Sequence, residues 1–524
     1  MTSTDPRYVA LALAAQHIEA HRIEPAREAL SSLVNTQLAL DDRQEDLLYF
    51  LLAAGLSKRL EGPTYEEINL YLRDYDVPQI RLFNLLAERV PTMALGTWLA
   101  NKMLVRTLRE HARPTLIDFG TGTGRQMVSL LRMLDEDPLA LERLRLVLIE
   151  PDPNSLKRAV ESASAASKEC RFAVEIQAIP KLAEEMDDHD WQSLVPAQGT
   201  LVINESFTLH HVSDDVDGSD GRDTVLARIR ALEPELFVAT EPDVDHDTMR
   251  LSDRLAHCHQ HFQAMFAQID RLAIAENDRA AIKVCFFGRE MEDILGAPDA
   301  TRAERHDRAH RWLERMRNAG LKPIDLDELN LPAPEVTGVE LFTRDGHLSL
   351  GFQGEPLLAV LAASGRGRGA EESVAMPGRM SIPAPRARHA AFDATAHVTV
   401  LAAVALADGV IDPREKTVIQ RHATLANVDV NEAFERAKDL QFLTRLQTSE
   451  RTRRAILRDC IVLARLSGEY REPERKRIAE IAAALGMPER ALVEAEQRAE
   501  AIAPPVITNA PAWLEDYWAL AQGR

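Results

Sequence analysis

Leu116-Ile-Asp118-Phe-Gly120-Thr-Gly122-Thr-Gly124 is the stretch from which the fold is read. Leu116 and Ile117 continue an apolar run of the kind a buried parallel strand requires. Glycines at alternate positions then let the backbone turn sharply and approach a ligand with no Cβ in the way. From Met127 the spacing becomes helical, with Met127, Leu130, Leu131 and Leu134 on one face. Strand, glycine turn and helix together predict the first unit of a doubly wound α/β fold. A second apolar strand, Leu146-Val-Leu-Ile-Glu150, ends in a carboxylate, placed where an acid can hydrogen-bond a ribose hydroxyl pair. A dinucleotide fingerprint would carry glycine at the sixth place of the loop, but Arg125 and Gln126 follow Gly124.

With Asp118 at the strand end, this G-x-G-x-G spacing resembles motif I of class I S-adenosylmethionine methyltransferases. The resemblance implies S-adenosyl-L-methionine as cofactor, cradled by Gly120, Thr121, Gly122 and Gly124. Asp118 would lie near its amino-acid end and Glu150 on its ribose, with Ala178 and Ile179 along the adenine. Asn204, at the tip of the fourth strand, would face the transferred group, since ligands bind at the carboxyl ends of parallel strands.

A chain of 524 residues accommodates two to four domains at roughly 100–200 residues each. The net charge of −20 argues against a general nucleic-acid binder, so no direct nucleic-acid contact is expected. Cys170, Cys258, Cys285 and Cys460 lack C-x-x-C spacing, which indicates neither zinc nor a disulfide framework. There is no basic-then-apolar leader and no apolar run of about 20 residues, so a cytoplasmic location without membrane contact is expected.

Residues 8–112 read as consecutive helices, expected to cap the cofactor end of the sheet. A third strand is expected over Phe172–Ile176, a fourth over Thr200–Asn204 and a fifth over Leu236–Thr240. Long helices fill the insertion at about 250–325, and the last two strands fall near Val339–Phe342 and His347–Phe352, the final one antiparallel. Asp214-Asp-Val-Asp217-Gly-Ser-Asp220 starts like a calcium loop. Its twelfth position, counted from Asp215, is Leu226, so it reads as a solvated turn.

Several elements narrow the resemblance to one family. Leu201-Val-Ile-Asn204-Glu-Ser-Phe207-Thr-Leu-His210-His211 resembles the V-V-N-x-x-F-x-L-H element of GRAS-domain proteins. Arg222-Asp223, then Leu232-Glu-Pro234-Glu-Leu-Phe-Val-Ala-Thr-Glu241, is similar to their R-D…L-x-P-K-V-V-x-V-x-E element. Phe287-Gly288-Arg289-Glu290, Arg302-Ala-Glu304-Arg305-His306, Trp312 and Ala319-Gly320-Leu321 continue the likeness. It ends on Gly346-His-Leu-Ser-Leu-Gly351-Phe352-Gln-Gly354-Glu-Pro356-Leu, without the terminal tryptophan. The resemblance implies a Rossmann-like, seven-stranded methyltransferase sheet under a helical cap. Plant members, known as transcriptional regulators, generally have an altered glycine pattern. Here Asp118, Gly120, Gly122, Gly124 and Glu150 stand together, which favours an enzyme: a methyltransferase with a small-molecule methyl acceptor. The alternative is a non-catalytic GRAS regulator that binds a small ligand or a protein partner.

Methyl transfer needs positioning, and a base where the nucleophile must lose a proton. His210, His211 and Glu241 are the candidate catalytic residues, expected on the rim with Asp243, Asp245 and His246. His257 and His261 lie four apart on one helical face, but without a further ligand at the right spacing they read as packing histidines. No metal site is expected. Phe262, Met265, Phe266 and Ile269 read as a packing stripe, and Arg302, Arg305, Arg308 and Arg311 mostly as a solvated face, with a bridge between cap and core as the alternative for Arg305-His306.

Residues 365–389, rich in Gly, Pro and Arg, read as a flexible linker. Beyond them, 390–502 return to helical periodicity with a weak internal repeat, and resemble the TerB-like helical domain. Asp408, Asp412 and Glu415 read there as helix-capping acids, with a divalent-ion site as the lesser alternative. The tail, 503–524, carries Trp513, Tyr517 and Trp518. The expected organisation is thus a cap (1–112), an α/β core (113–364) and a separate all-α C-terminal domain, through which the chain would form a homodimer or meet a protein partner.

Overall fold

The computed structural model describes residues 5–40, 45–60, 79–136, 138–196, 199–213, 220–299, 302–326, 336–344, 346–366 and parts of 394–496. Alternating strands and helices build one mixed sheet. Its strands are β1 (Thr115–Phe119), β2 (Arg143–Ile149), β3 (Ala173–Ile179), β4 (Leu201–Ser206), β5 (Leu236–Pro242), β6 (Lys322–Pro323), β7 (Glu340–Arg344), β8 (His347–Phe352) and β9 (Glu355–Ser364). The order is β3-β2-β1-β4-β5-β9-β8-β7, with the two-residue β6 also paired to β9. The first five strands run parallel, and β9, β8 and β7 are antiparallel to their neighbours.

Thirteen helices are described in this part of the chain: α1 (Pro6–Glu19), α2 (Ile23–Ser32), α3 (Asp46–Leu60), α4 (Gln79–Arg89), α5 (Pro91–Leu108), α6 (Arg125–Glu136), α7 (Pro153–Ser167), α8 (Asp188–Leu194), α9 (Gly221–Ala231), α10 (Leu251–Ile269), α11 (Glu276–Ala281), α12 (Gly288–Gly296) and α13 (Ala309–Asn318). Their starts are chemically marked. Asp5 accepts from the Arg7 amide and Asp152 from that of Ser155, each with proline in the first turn.

Strand alternation sorts the core into two layers. Leu116, Leu146, Leu148 and Val202 face α5, α6 and α7, while Ile117, Val147, Ile149 and Ile203 face α8, α9 and α13. A further cluster holds Leu11, Leu30, Phe50 and Leu52 together with Phe262, Phe266, Phe287 and Leu295. Helices α1 to α4 and the 251–296 insertion therefore share a single apolar core, and the stripe on α10 packs inside it.

Two expectations about the sheet are corrected. Among the described residues it has nine strands rather than seven, and His347–Phe352 is not the last of them: β9 follows it in the chain and takes the place beside β5. The unbroken apolar run from Leu357 to Ala363 is long enough to be a central strand and is buried throughout. The third strand also runs on through Gln177, Ala178 and Ile179, pairing Ala178 with Leu148 and Ile179 with Ile149.

The chain divides into two compact units, the second within residues 374–505. Its helices over Ala394–Ala405, Val430–Arg436 and Glu472–Ala484 bury Val400, Leu401, Val404, Ile478 and Ile481 in a core of their own. Asp214–Asp217, Asp408, Asp412, Glu415, Trp513, Tyr517 and Trp518, like most of the expected linker, lie outside the described residues. Among the described residues no helix is long and apolar enough to cross a membrane.

The turn after β1 is sterically demanding. Gly124 has φ +77°, and a Cβ there would sit 2.8 Å from the Ala159 backbone on α7. Gly354, at φ +80° in the β8–β9 turn, would carry a Cβ with nothing within 4 Å. Gly354→Ala should cost about 1–2 kcal/mol of backbone strain, whereas Gly124→Ala should cost at least about 3 kcal/mol, because backbone must move as well. Urea unfolding of the two variants beside the parent checks the difference.

Candidate functional site

The glycine turn is stapled to the end of β2. The amides of Gly120 and Thr121 both donate to the Ile149 carbonyl, at 2.9 and 3.1 Å. Glu150 completes the staple: Oε2 accepts from the Gly122 amide at 2.9 Å and Oε1 from the Asp152 amide at 3.1 Å. Burial pushes the Glu150 carboxyl up to about 7, against the pull of those two amides. Side chains crowd the outer face of the loop. A Cβ on Gly120 would lie 1.9 Å from Thr208 Oγ1, and one on Gly122 3.3 Å from Ile80 Cδ1 of α4.

Asp118 is buried under the loop. Asn204 Nδ2 donates to Asp118 Oδ1 at 2.7 Å, while Gln126 Nε2 donates to Asn204 Oδ1 at 3.3 Å and to Asn101 Oδ1 of α5 at 3.2 Å. Ser206 Oγ closes the chain on Gln126 Oε1 at 2.9 Å. One amide network therefore joins the cap, the loop helix and the tip of β4. Of the residues expected around a cofactor, Asp118, Gly120, Thr121, Gly122, Gly124, Glu150 and Asn204 are brought together here. Ala178 is exposed on β3, and Ile179 is buried in the layer with Phe119 and Trp191.

Beyond β4 the chain makes a tight turn, with Phe207 at φ +56°. The turn aims two consecutive amides at two carboxylates. Thr208 N lies 2.7 Å from Glu205 Oε1 and 3.1 Å from Glu241 Oε1, and Leu209 N 3.2 and 2.9 Å from the same atoms. Both acids are buried and adjacent, so desolvation and mutual repulsion raise Glu205 well above the carboxylate range. Glu241 Oε2 meets His210 Nδ1 at 2.5 Å. On its other side His210 faces Glu304 Oε2, 3.5 Å from Nε2, and His211 Nδ1 is 3.5 Å from Glu304 Oε1. Burial holds His210 far below the usual histidine range and His211 at about 3, disfavouring the charged form of each ring. The three candidate catalytic residues are thus contiguous, but they are buried beneath the turn instead of standing on a rim.

The other rim residues are also engaged. Asp243 accepts from the Ala309 amide at 3.0 Å and from Ser349 Oγ at 2.5 Å. Asp245 accepts from the amides of Asp247 and Thr248, and His246 Nδ1 meets His306 Nδ1 at 2.8 Å. The histidines of α10 have separate partners: His257 the Asp245 carbonyl, His259 the rings of Tyr8 and Tyr49, and His261 the ring of His246.

The arginines expected on a solvated face are corrected for the most part. Arg302 is buried, bonding the carbonyls of His246 and Glu304 and pairing with Asp247. Arg305 pairs with Asp247 and Arg308 with Glu355, leaving Arg311 exposed. Glu304 and His306 were not singled out as site residues in the sequence. Their spacing follows no helix or strand period, because residues 302–308 run as an irregular segment against the turn after β4.

The Asp118 carboxyl is pushed up to about 6, by burial first, with hydrogen bonds from neighbouring side chains offsetting part of the shift. Its proton is held more tightly in the folded state than in the unfolded chain. Its contribution to stability is therefore complete below about pH 4 and is lost as pH rises through about 6. Asp118→Asn removes this dependence. Between pH 4 and 7 the parent should lose about 3 kcal/mol relative to Asp118→Asn, measured by urea unfolding at each pH.

Residues 9–362 match the model of the GRAS domain family. The Scarecrow-like transcription factor PAT1 of Arabidopsis thaliana is 24% identical over 57% of this chain and 63% of its own length. Scarecrow-like protein 1 of the same plant is 25% identical over 47% of this chain and 42% of its own. The chain thus spans about half the length of such relatives. The crystal structure of SCL7 from Oryza sativa aligns with a TM-score of 0.55 at 21% identity, over 69% of this chain and all of that one, which establishes the shared fold. These relatives correct the functional expectation. PAT1 is named a transcription factor, which overturns the reading as a methyltransferase with a small-molecule methyl acceptor for its partner. By the match over most of its length, the chain belongs to the GRAS domain family.

Proposed function

We propose that this chain is a non-catalytic GRAS regulator, acting by binding rather than by group transfer. The observation that carries this reading is the internal use of the site's polar groups. Glu241 and His210 bond each other beneath the Thr208–Leu209 turn, so neither is placed to take a proton from an incoming acceptor. The name of its relative PAT1 supports regulation of transcription as the setting.

S-adenosyl-L-methionine enters this proposal as a ligand, not as a donor. Each Glu150 oxygen accepts one amide and keeps a lone pair for a ribose hydroxyl. A second mode, contact with a protein, is favoured by Val9 and Leu13, which stand exposed one turn apart on α1. The helical unit beyond residue 394, read as TerB-like, would serve as a tether in either mode.

Calorimetry with S-adenosyl-L-methionine should give a dissociation constant on the order of micromolar, abolished by Gly122→Val and by Glu150→Ala. No label should pass from a methyl-labelled donor to cell extract. Absence of heat with the parent protein rejects the ligand, and labelled product rejects the non-catalytic reading.

A further inference from the structure

We infer that His210, His211 and Glu304 form a buried site for a divalent transition-metal ion, zinc by preference, which pins residues 302–308 to the turn after β4. One ligand atom from each of the three lies within 4.8 Å of the other two. The two His–Glu separations are both 3.5 Å. Ligand atoms about 2.0–2.2 Å from a tetrahedral zinc ion are about 3.4 Å apart, close to the two His–Glu separations, each of which runs to a different oxygen of Glu304. Two imidazoles and a carboxylate are a donor set suited to zinc.

The surroundings match those of a built site. His210 presents Nε2 to Glu304 while its Nδ1 meets Glu241 at 2.5 Å. A carboxylate on the far nitrogen fixes the ring and its tautomer, as the outer partners of metal-bound histidines commonly do. His306 stands beside the group with Nε2 3.4 Å from Glu304 Oε2 and its other nitrogen against His246, so it can close a fourth position. Glu304 is wholly buried, so its carboxylate, if ionised, needs a cationic or hydrogen-bonding partner, which a bound dication supplies. With no open face, the ion would be structural. It would tie Leu209-His210-His211 to Arg302-Ala-Glu304-Arg305-His306, two segments far apart in the chain.

The test uses the full chain without an affinity tag, first stripped with chelator. Zinc content after equilibrium dialysis should be one ion per chain, and cobalt(II) should give the intense visible bands of a tetrahedral site. Glu241→Gln, which leaves the three ligands in place, should weaken cobalt affinity about 10–100-fold. His211→Ala and Glu304→Gln, each checked for folding by circular dichroism, should lose the bands. A parent chain that takes up neither metal, both after incubation and after refolding in its presence, overturns the proposal. So does a folded His211→Ala chain that keeps the bands and the stoichiometry.

Discussion

Two backbone amides, those of Thr208 and Leu209, point at two adjacent carboxylates, and much of the site follows from that contact. Glu205 and Glu241 end neighbouring parallel strands, so the sheet itself forces them together. Like-charged groups at such a distance in a dry interior cannot both ionise. The amides make the pair tolerable, and only the positive-φ turn at Phe207 brings both to bear. That turn puts Thr208 against Gly120, which explains why no side chain fits there. It also lowers His210 and His211 into the interior, where Glu241 and Glu304 meet them.

Around this centre the protein spends charge on joining segments. Arg222, buried completely, pairs with Asp220 and Asp247, and Asp247 also receives Arg302 and Arg305. Arg315 joins through Asp307 and Asp220. Such pairs add little net stability, because desolvation consumes most of the attraction. They do specify geometry, since removing one member strands the others in low dielectric. The irregular segment 302–308 has no backbone ladder of its own, and this network together with the Asp243 contact to Ala309 holds it in place.

The glycine turn illustrates how one motif can bear two readings. Three positive-φ glycines and an acid after β2 are the features a ligand loop needs, and here they also close a self-contained staple. Sequence spacing reports that backbone can approach something closely at this point. Whether the approach is to a ligand, to Thr208 or to Ala159 depends on what the remainder of the chain brings there.

What the sequence determined by itself is whatever short-range physics controls. Apolar runs and their alternation set β1, β2, β4 and β5 and their two faces; proline and aspartate mark the starts of α1 and α7; the order of motifs named the family. The identity and grouping of Asp118, the glycines, Glu150 and Asn204 were legible for the same reason, as all lie at strand ends whose topology is constrained. Tertiary structure alone decided the rest. β9 displaced the expected last strand because hydrogen-bond pairing, not hydrophobicity, fixes strand order. Ile179 is buried with Phe119 and Trp191 because its strand runs on past Ile176 and keeps the alternation of the pleat. Arg302, Glu304 and His306 became interior groups because long-range partners, some 50 to 100 residues away, supply the polar contacts that water would supply on a free segment.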